Sequence, residues 1–222
     1  MSLSLCPNLL FDYDGTLVDS GPLHDLAYRL ALQQHLPRLL LQYSYDSVKG
    51  KPTRDAFAEL GVHEPDQLEP LTLAKQRVYR ELTRQRGIAL MPGARQLLDA
   101  LSASGATMFL VSSGSRGSIM KSLQSVGITQ RFKGMVTAED VRVGKPAPEP
   151  YLCCLQRFGL NAHACVAVED AITGVLSARR AGMPVIGVHD SGLGLWVDKF
   201  FSSLWDFERW VKVKGGDGAV TP

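Results

Sequence analysis

The 222-residue chain has little cysteine, no strong charge of either sign and no long apolar run. Its 24 basic and 22 acidic residues leave a net charge of +2. It has neither a basic stripe of the kind that nucleic acids attract nor an acidic solvating tail. No apolar run reaches the roughly 18 residues that a membrane-spanning helix needs. We therefore expect neither nucleic acid nor a membrane among its partners.

The four cysteines do not form a recognisable bridging or metal-binding pattern. Cys6 and Cys165 are isolated, and Cys153 and Cys154 are adjacent, which disfavours a bridge between them. We expect reduced thiols in a reducing compartment. The first residues lack the charged and apolar segments of a secretory signal. The sequence therefore predicts a cytoplasmic protein.

The composition is that of a globular protein, with 45% hydrophobic and 21% charged residues. From residue 88 onward, short apolar runs alternate with amphipathic helical patterns. The runs are Met108–Val111, Gly134–Thr137, Cys165–Val168 and Val185–Val188. Apolar strands alternating with helices predict a doubly wound parallel sheet covered by helices on both faces, an α/β fold. Leu9–Phe11 is predicted to belong to the same sheet.

Residues 22–86 interrupt this alternation, because they carry helical patterns and no convincing buried strand. The helical patterns cover Leu23–Leu36, Arg54–Leu60 and Gln67–Arg86. We predict a core of residues 1–20 and 88–222 with an all-helical insertion at 21–87. Turn-rich linkers near Asp19–Gly21 and Gly87–Pro92 are the predicted hinges. Residues 212–222 are predicted to be a frayed tail.

Two acids stand where the first apolar run ends. Asp12 and Asp14 follow Leu9–Phe11, and Gly15-Thr16 comes next. Carboxylates this close repel each other unless a cation lies between them. The segment is thus a candidate for Mg²⁺ binding and covalent phosphoryl chemistry. Taken alone, it is equally consistent with an Asp-Gly turn after a strand.

Other predicted strands also end in polar groups. Ser112 and Ser113 follow the second strand, and Glu169 and Asp170 follow the fourth. Lys145 stands in a loop between glycine and proline. Parallel α/β sheets bind ligands at the carboxyl ends of their strands. Acids there can hold a divalent cation, hydroxyls and amides can hold a phosphate, and a lysine can offset charge.

Each of these groups also has a structural interpretation. The serines can belong to a plain loop, and Lys145 can be a solvated turn lysine. Glu169 and Asp170 can cap the helix that follows them, because acids favour helix N-termini. Their shared order at successive strand ends favours a functional site.

Four ordered motifs carry a resemblance to a known family. They are Asp12-Tyr13-Asp14-Gly15-Thr16-Leu17-Val18-Asp19-Ser20, Val111-Ser112-Ser113-Gly114, Gly144-Lys145-Pro146-Ala147-Pro148 and Val168-Glu169-Asp170 with Gly174-Val175. The chain resembles the haloacid dehalogenase superfamily over nearly its whole length. It is most similar to the β-phosphoglucomutase-like and sugar phosphatase branch, whose core is Rossmann-like and whose small helical cap follows the first strand. Tyr13 replaces the more usual Met or Leu, and we expect it to face away from the acids.

The resemblance implies a role for each site residue. Asp12 is the expected nucleophile that forms an aspartyl-phosphate. Asp14 is expected to protonate the leaving oxygen and then to deprotonate water. Ser112 and the Ser113 amide are expected to hold the phosphoryl oxygens. Lys145 is expected to offset the negative charge.

The resemblance also implies a Mg²⁺ cofactor. Its expected ligands are the carboxylates of Asp12 and Asp170 and the backbone carbonyl of Asp14, with Glu169 binding directly or through water.

In the cap, the resemblance implies substrate contacts. His24 matches a cap histidine of the β-phosphoglucomutase-like members. Lys49–Asp55 resembles the substrate-specificity loop, in which Gly50 allows close approach and Lys51 or Arg54 meets a substrate hydroxyl or second phosphate.

The predicted function is Mg²⁺-dependent hydrolysis of a small phosphate monoester by a monomer. The ester is a sugar phosphate, a sugar-alcohol phosphate or phosphoglycolate. Asp14 favours phosphate esters over dehalogenation and phosphonate cleavage, which do not use a second Asp. The alternatives are a sugar phosphomutase, a non-enzymatic phosphoacceptor such as a receiver domain, and a catalytically silent binding protein.

Overall fold

The computed structural model describes residues 7–216. Cys6 and residues 217–222 lie outside them. The chain divides into two compact units at Asp19 and Ala89. One unit is built from the residues before and after the helical insertion, and the other is Ser20–Ile88.

A parallel sheet forms the centre of the first unit. Its strands are β1 (Asn8–Phe11), β2 (Thr107–Val111), β3 (Gly134–Val136), β4 (Cys165–Glu169), β5 (Val185–Val188) and β6 (Lys199–Phe201). Their spatial order is β3-β2-β1-β4-β5-β6, and each neighbouring pair is parallel. The order reverses between β1 and β4, and such a switch point creates a ligand-binding crevice at the carboxyl ends of the strands. The predicted fold class is confirmed, and β6 is an addition to it.

The second unit is helical. It contains α1 (Gly21–His35), α2 (Tyr45–Val48), α3 (Thr53–Glu59) and α4 (Pro65–Arg86), with a 3₁₀ turn at Pro37–Leu41. Its 69 residues, all described, include no strand. The unit has its own apolar core, in which the Tyr28 ring meets the Phe57 ring edge-on at 5.3 Å between centroids. Amphipathic helices 7 to 22 residues long bury their apolar faces against one another here.

Helices flank the sheet in the first unit. They are α5 (Ala94–Ala103), α6 (Arg116–Ser125), α7 (Glu149–Phe158), α8 (Ile172–Arg180) and α9 (Leu204–Gly216). Residues 212–216 therefore belong to a helix, whereas we predicted a frayed tail from residue 212. Leu204, Phe207 and Val211 recur at helical spacing and are buried, which accounts for α9 as far as Val211.

The core lies between the sheet and its helices. Leu10 is in register with Phe109 on one side and Ala167 on the other, so these side chains share a face. They pack in one buried cluster with Tyr151 of α7 and Val175 of α8. Central parallel strands are buried on both faces, which accounts for their continuous apolar sequences.

The chain leaves and re-enters the first unit at adjacent points. Asp19 N–H donates to the Ala89 carbonyl oxygen, and Met91 N–H donates to that of Leu17, both at 2.9 Å. These two hydrogen bonds join the segment before the insertion to the segment after it. The first unit is therefore continuous although 69 residues separate the two segments in sequence. Between residues 7 and 216, no helix combines the length and apolar character that crossing a bilayer requires.

Candidate active site

Asp12 is the first residue after β1, at the switch point of the sheet. Its N–H donates to the Val168 carbonyl oxygen at 2.9 Å, which ties the residue to the neighbouring β4. The side chain is buried. Gly15, three residues on, has a φ of 86°, a backbone conformation that favours glycine, and this lets the Asp12–Val18 loop turn back sharply.

Lys145 lies against Asp12. Its Nζ donates to Asp12 Oδ1 at 2.6 Å, to Glu169 Oε1 at 2.7 Å and to the Val111 carbonyl oxygen at 2.9 Å. The side chain is 3% exposed, so the interpretation as a solvated turn lysine is wrong. The three contacts join groups from β1, β2 and β4 through one ammonium.

The loop that carries Lys145 is attached to α8. Arg180 donates to the Pro146 carbonyl oxygen at 2.8 Å, and the Ser177 hydroxyl donates to that of Ala147 at 2.5 Å. Two side chains of one helix thus fix the backbone that directly follows the lysine.

Glu169 and Asp170 lie at the carboxyl end of β4 and are buried. Glu169, the last residue of the strand, also accepts a hydrogen bond from the Tyr151 hydroxyl. The Thr16 hydroxyl donates to Asp170 Oδ1 at 3.1 Å. The N-cap residue of α8 is Ala171, which makes no side-chain hydrogen bond to the helix, so neither acid occupies the N-cap position itself.

Glycines allow these acids to pack closely against the backbone. A Cβ on Gly174 would lie 2.0 Å from Glu169 Oε2, and a Cβ on Gly15 would lie 2.4 Å from Asp170 Oδ2. Both distances are far below van der Waals contact. The backbone at Gly15 and at Gly174 thus packs so closely against the carboxylates that a larger residue would collide with them.

Carboxylate oxygens of Asp12, Glu169 and Asp170 all lie within 4.8 Å of one another. Burial raises the pKa of Asp12 well above its usual range, and the two neighbouring acids add to this rise against the opposing effect of Lys145. Burial likewise raises the pKa of Glu169. Burial alone would lower the pKa of Lys145, but Asp12 and Glu169 raise it overall. One ammonium therefore contacts two acids of a buried cluster of three.

This donor set fits a hard divalent cation. Mg²⁺ prefers carboxylate and carbonyl oxygens, and three buried acids converge here. A cation would favour the ionised forms of Asp12 and Glu169 and so oppose the rise that burial causes in their pKa values. Asp14 lies two residues beyond Asp12 in the same loop and is half-buried.

The two serines lie at the end of β2, the strand beside β1. Ser112 is buried, its N–H donates to the Val136 carbonyl oxygen at 3.0 Å, and its hydroxyl oxygen accepts from Gly114 N–H at 3.0 Å. Ser113 is exposed. Ser112 is thus held by neighbouring backbone, and Ser113 faces solvent at the same edge of the sheet.

The helical unit contains a polar cluster of its own around His24. His24 Nδ1 lies 2.8 Å from Lys75 Nζ, and the imidazole stacks on the Tyr79 ring at 4.0 Å. Lys75 is 3% exposed, and its ammonium lies 4.4 Å from the centre of the Tyr28 ring. Sequence reasoning missed Lys75. The sequence did contain a signal, because Lys75 falls on the face of α4 whose other residues are buried.

The predicted specificity loop lies on the surface of the same unit. Gly50 is exposed, with a φ of 75°. Lys51 donates to the Ser47 carbonyl oxygen at 2.8 Å and pairs with Glu59, and Arg54 lies 3.5 Å from Glu69. Both cations are thus paired within their own unit. Their contact with substrate stays a prediction.

Comparison with known proteins identifies the family. A family model for the haloacid dehalogenase-like hydrolases matches residues 9–188. Hexitol phosphatase A of Escherichia coli K12 is 36% identical over 186 residues, which cover 83% of each protein. Fructose-1-phosphate phosphatase YqaB of the same organism is 33% identical over 189 residues, covering 81% of this chain and 95% of that protein.

A solved structure supports the same assignment at the level of the fold. The β-phosphoglucomutase of Clostridium difficile matches with a TM-score of 0.79 and 21% identity, over 98% of this chain and all of the other. The predicted superfamily is confirmed, and the predicted enzyme class agrees with the named relatives. The chain belongs to the haloacid dehalogenase-like hydrolase family.

Proposed function

We propose that this protein is a Mg²⁺-dependent phosphatase that hydrolyses a small sugar phosphate or sugar-alcohol phosphate through an aspartyl-phosphate on Asp12. The observation that carries the proposal is the buried contact of Lys145 with both Asp12 and Glu169, beside Asp170. Phosphoryl transfer to a carboxylate requires charge neutralisation, because the carboxylate must approach a phosphate dianion. A site of this composition meets that requirement.

In the first step, a carboxylate oxygen of Asp12 attacks phosphorus and the bond from phosphorus to the ester oxygen breaks. Asp14 gives its proton to the departing oxygen, so the sugar leaves as an alcohol. In the second step, Asp14 takes a proton from water as the water attacks phosphorus. Inorganic phosphate leaves, and the Asp12 carboxylate and the acid form of Asp14 are restored.

The remaining residues position and neutralise the phosphoryl group. Lys145 keeps Asp12 oriented and compensates part of the charge that accumulates on the transferring oxygens. Ser112 and the Ser113 amide hold those oxygens from the end of β2. We propose that Asp12, Asp170, Glu169 and the Asp14 carbonyl hold Mg²⁺. The ion supplies Lewis-acid stabilisation of the phosphoryl charge when bound.

Substrate choice is assigned to the helical unit. The two named relatives act on hexitol phosphates and fructose 1-phosphate. A buried lysine beside a half-buried histidine offers donors suited to polyol hydroxyls. We propose that His24 and Lys75 contact the sugar, and that Gly50, Lys51 and Arg54 shape access to it.

Product analysis on a panel of phosphate esters tests the proposal. The panel contains hexitol phosphates, fructose 1-phosphate, β-glucose 1-phosphate and phosphoglycolate, each with Mg²⁺ and with EDTA. We expect free phosphate with Mg²⁺, largest for the hexitol or ketose esters, and none with EDTA. An isomerised sugar phosphate would identify a mutase instead. Absence of any product across the panel would favour a phosphoacceptor or binding protein.

Lys75→Met tests the assignment of the helical unit. We expect KM for the best sugar ester to rise about tenfold, while hydrolysis of a small aryl phosphate changes less than about twofold. Lys121→Met, on α6 of the other unit, is the control. If Lys75→Met lost equal activity on the sugar ester and on the aryl phosphate, the lysine would contribute to the stability of the protein and not to recognition of the sugar.

A further inference from the structure

His189 adopts a backbone conformation that side chains rarely take. It follows β5 directly, and its φ is 68°, the sole positive value of a non-glycine residue between residues 7 and 216. Asp190 N–H donates to the Val188 carbonyl oxygen at 2.8 Å, which makes His189 the central residue of a γ-turn with positive φ. Such turns are rare and strained. His189 N–H donates to the Phe201 carbonyl oxygen of β6 at 3.1 Å, and this bond attaches the turn to the edge strand of the sheet.

The strained backbone aims the imidazole at the Asp12–Val18 loop. His189 Nε2 lies 3.2 Å from the Thr16 carbonyl oxygen. A carbonyl oxygen accepts hydrogen bonds, so this contact requires a proton on Nε2. The Thr16 hydroxyl donates to Asp170 Oδ1. Thr16 is therefore held on both sides, its side chain by an acid of β4 and its backbone by His189.

The loop that Thr16 belongs to has little freedom to move. Leu17 N–H donates to the Tyr13 carbonyl oxygen and Gly15 N–H to that of Val18, both at 2.9 Å. Gly15 passes so close to Asp170 that a methyl group would not fit between them. A displacement of the loop by a fraction of an ångström would therefore move Asp12 and Asp14 relative to Asp170.

We propose that His189 is a positioning residue that holds the Asp12–Val18 loop against Asp170 through the Thr16 carbonyl oxygen. Its catalytic consequence rests on the proposed phosphatase function. Glycine fits a φ of 68° without strain, and asparagine tolerates it better than most residues. Histidine is also among the side chains that are enriched at positive φ, so it can occupy this turn, and the hydrogen bond to the Thr16 carbonyl oxygen is the contact that glycine or asparagine could not make there. Strain kept at a site of this kind is typical of functional positions.

Three substitutions separate the side-chain contact from the backbone conformation. His189→Gln places an amide N–H near the position of Nε2 but does not relieve the backbone. His189→Asn and His189→Gly suit the backbone but cannot reach Thr16. The control is His163→Gln, an exposed histidine before the amino end of β4, on the opposite edge of the sheet. Amide hydrogen exchange of residues 12–18, melting temperature, and steady-state kinetics are measured for each.

We expect exchange in residues 12–18 to accelerate roughly tenfold in the Asn and Gly variants, with Gln close to wild type. Melting temperatures of the Asn and Gly variants should stay within about 2 °C of wild type. Their kcat should fall about tenfold, with KM changed less than about twofold and activity largely rescued by Gln. The order of activity is then opposite to the order of backbone preference, which a structural role alone does not produce.

Two results would overturn the proposal. One is unchanged exchange of residues 12–18 in all three variants. The other is a parallel loss of melting temperature and activity, with Gln no better than Asn. If wild type lacks phosphatase activity while exchange follows the predicted order, the phosphatase function fails and the positioning of the loop stands.

Discussion

Lys145 Nζ lies 2.6 Å from Asp12 Oδ1, and both side chains are almost fully removed from water. The same ammonium reaches Glu169 Oε1 at 2.7 Å. A buried ammonium between two acids is stabilising only as long as each partner is present, because the desolvation of the others remains if one is removed. Lys145 therefore links the stability of the core to the arrangement of the acid cluster, and we expect its loss to affect both stability and the proposed reaction.

Removal of this ammonium should affect both stability and activity. In Lys145→Met, the buried acids lose their shared cation, so we expect the free energy of unfolding in EDTA to fall by about 3 kcal/mol. We expect kcat to fall at least about a hundredfold. Urea denaturation and phosphate release are the measurements. Lys133→Met, an exposed lysine before β3, is the matched control. Wild-type stability of Lys145→Met in EDTA would contradict this account of the cluster.

Mg²⁺ should stabilise the folded protein, because the acid cluster exists only when folded. At a hundredfold excess over Kd, the expected gain is about 2.7 kcal/mol, seen as a rise in melting temperature over the EDTA sample. Asp170→Asn should abolish that rise by removing a ligand. Gly15→Ala should reduce it, because the added methyl group would meet Asp170. Asp99→Asn, an exposed acid of α5, should retain it. A full Mg²⁺ response in Asp170→Asn would remove Asp170 from the metal site.

Two buried tyrosine hydroxyls provide a matched pair. The Tyr151 hydroxyl donates to Glu169, and the Tyr13 hydroxyl donates to Ser122 Oγ of α6 at 2.6 Å. Tyr151→Phe and Tyr13→Phe should each cost about 1–2 kcal/mol of stability, since each removes one buried hydrogen bond. We expect kcat to fall about fivefold to tenfold in Tyr151→Phe alone. A similar kcat loss in Tyr13→Phe would contradict the prediction that Tyr13 faces away from the chemistry.

Asp140 should contribute stability that disappears in acid. Partial burial would raise its pKa, but hydrogen bonds from Arg157 and Thr137 and the charge of Arg116 lower it to about 2. The folded-state pKa is below the ordinary value of 3.8, so the contribution is present above that value and is lost as pH falls toward about 2. Asp140→Asn should lower the free energy of unfolding by about 2 kcal/mol at pH 7.

Urea unfolding at a series of pH values measures this effect. The difference in the free energy of unfolding between wild type and Asp140→Asn should shrink steadily as the pH is lowered through the acid range. Asp99→Asn supplies the comparison, because its pair with Arg131 is exposed and worth at most about 1 kcal/mol. A difference that stays constant with pH would assign the Asp140 contribution to uncharged contacts.

The sheet and the acid cluster were predictable because both follow from local sequence. Apolar runs mark buried strands, and a polar residue after each run falls at the carboxyl edge by geometry. Strand and helix limits differed from the prediction by a residue or two. β6 was missed because Lys199–Phe201 is short and begins with a charged residue.

The supporting contacts were not predictable in the same way. Tyr151 and Thr16 meet the acids through the packing of whole elements, and no local pattern indicates those pairs. The contact of His189 with Thr16 spans 173 residues of sequence. Lys75 is an intermediate case, because its position in the buried stripe of α4 marks it as unusual but does not identify His24 as its neighbour.

In the proposed reaction, Asp12 accepts the phosphoryl group. The most direct measurement is the mass of the peptide containing Asp12, after the enzyme is mixed with Mg²⁺ and its best ester and quenched in acid. We predict that this peptide gains one phosphoryl group in wild type, and that Asp12→Asn shows neither the gain nor turnover while keeping its fold. A phosphoryl group on another residue, or turnover by Asp12→Asn, would contradict the account.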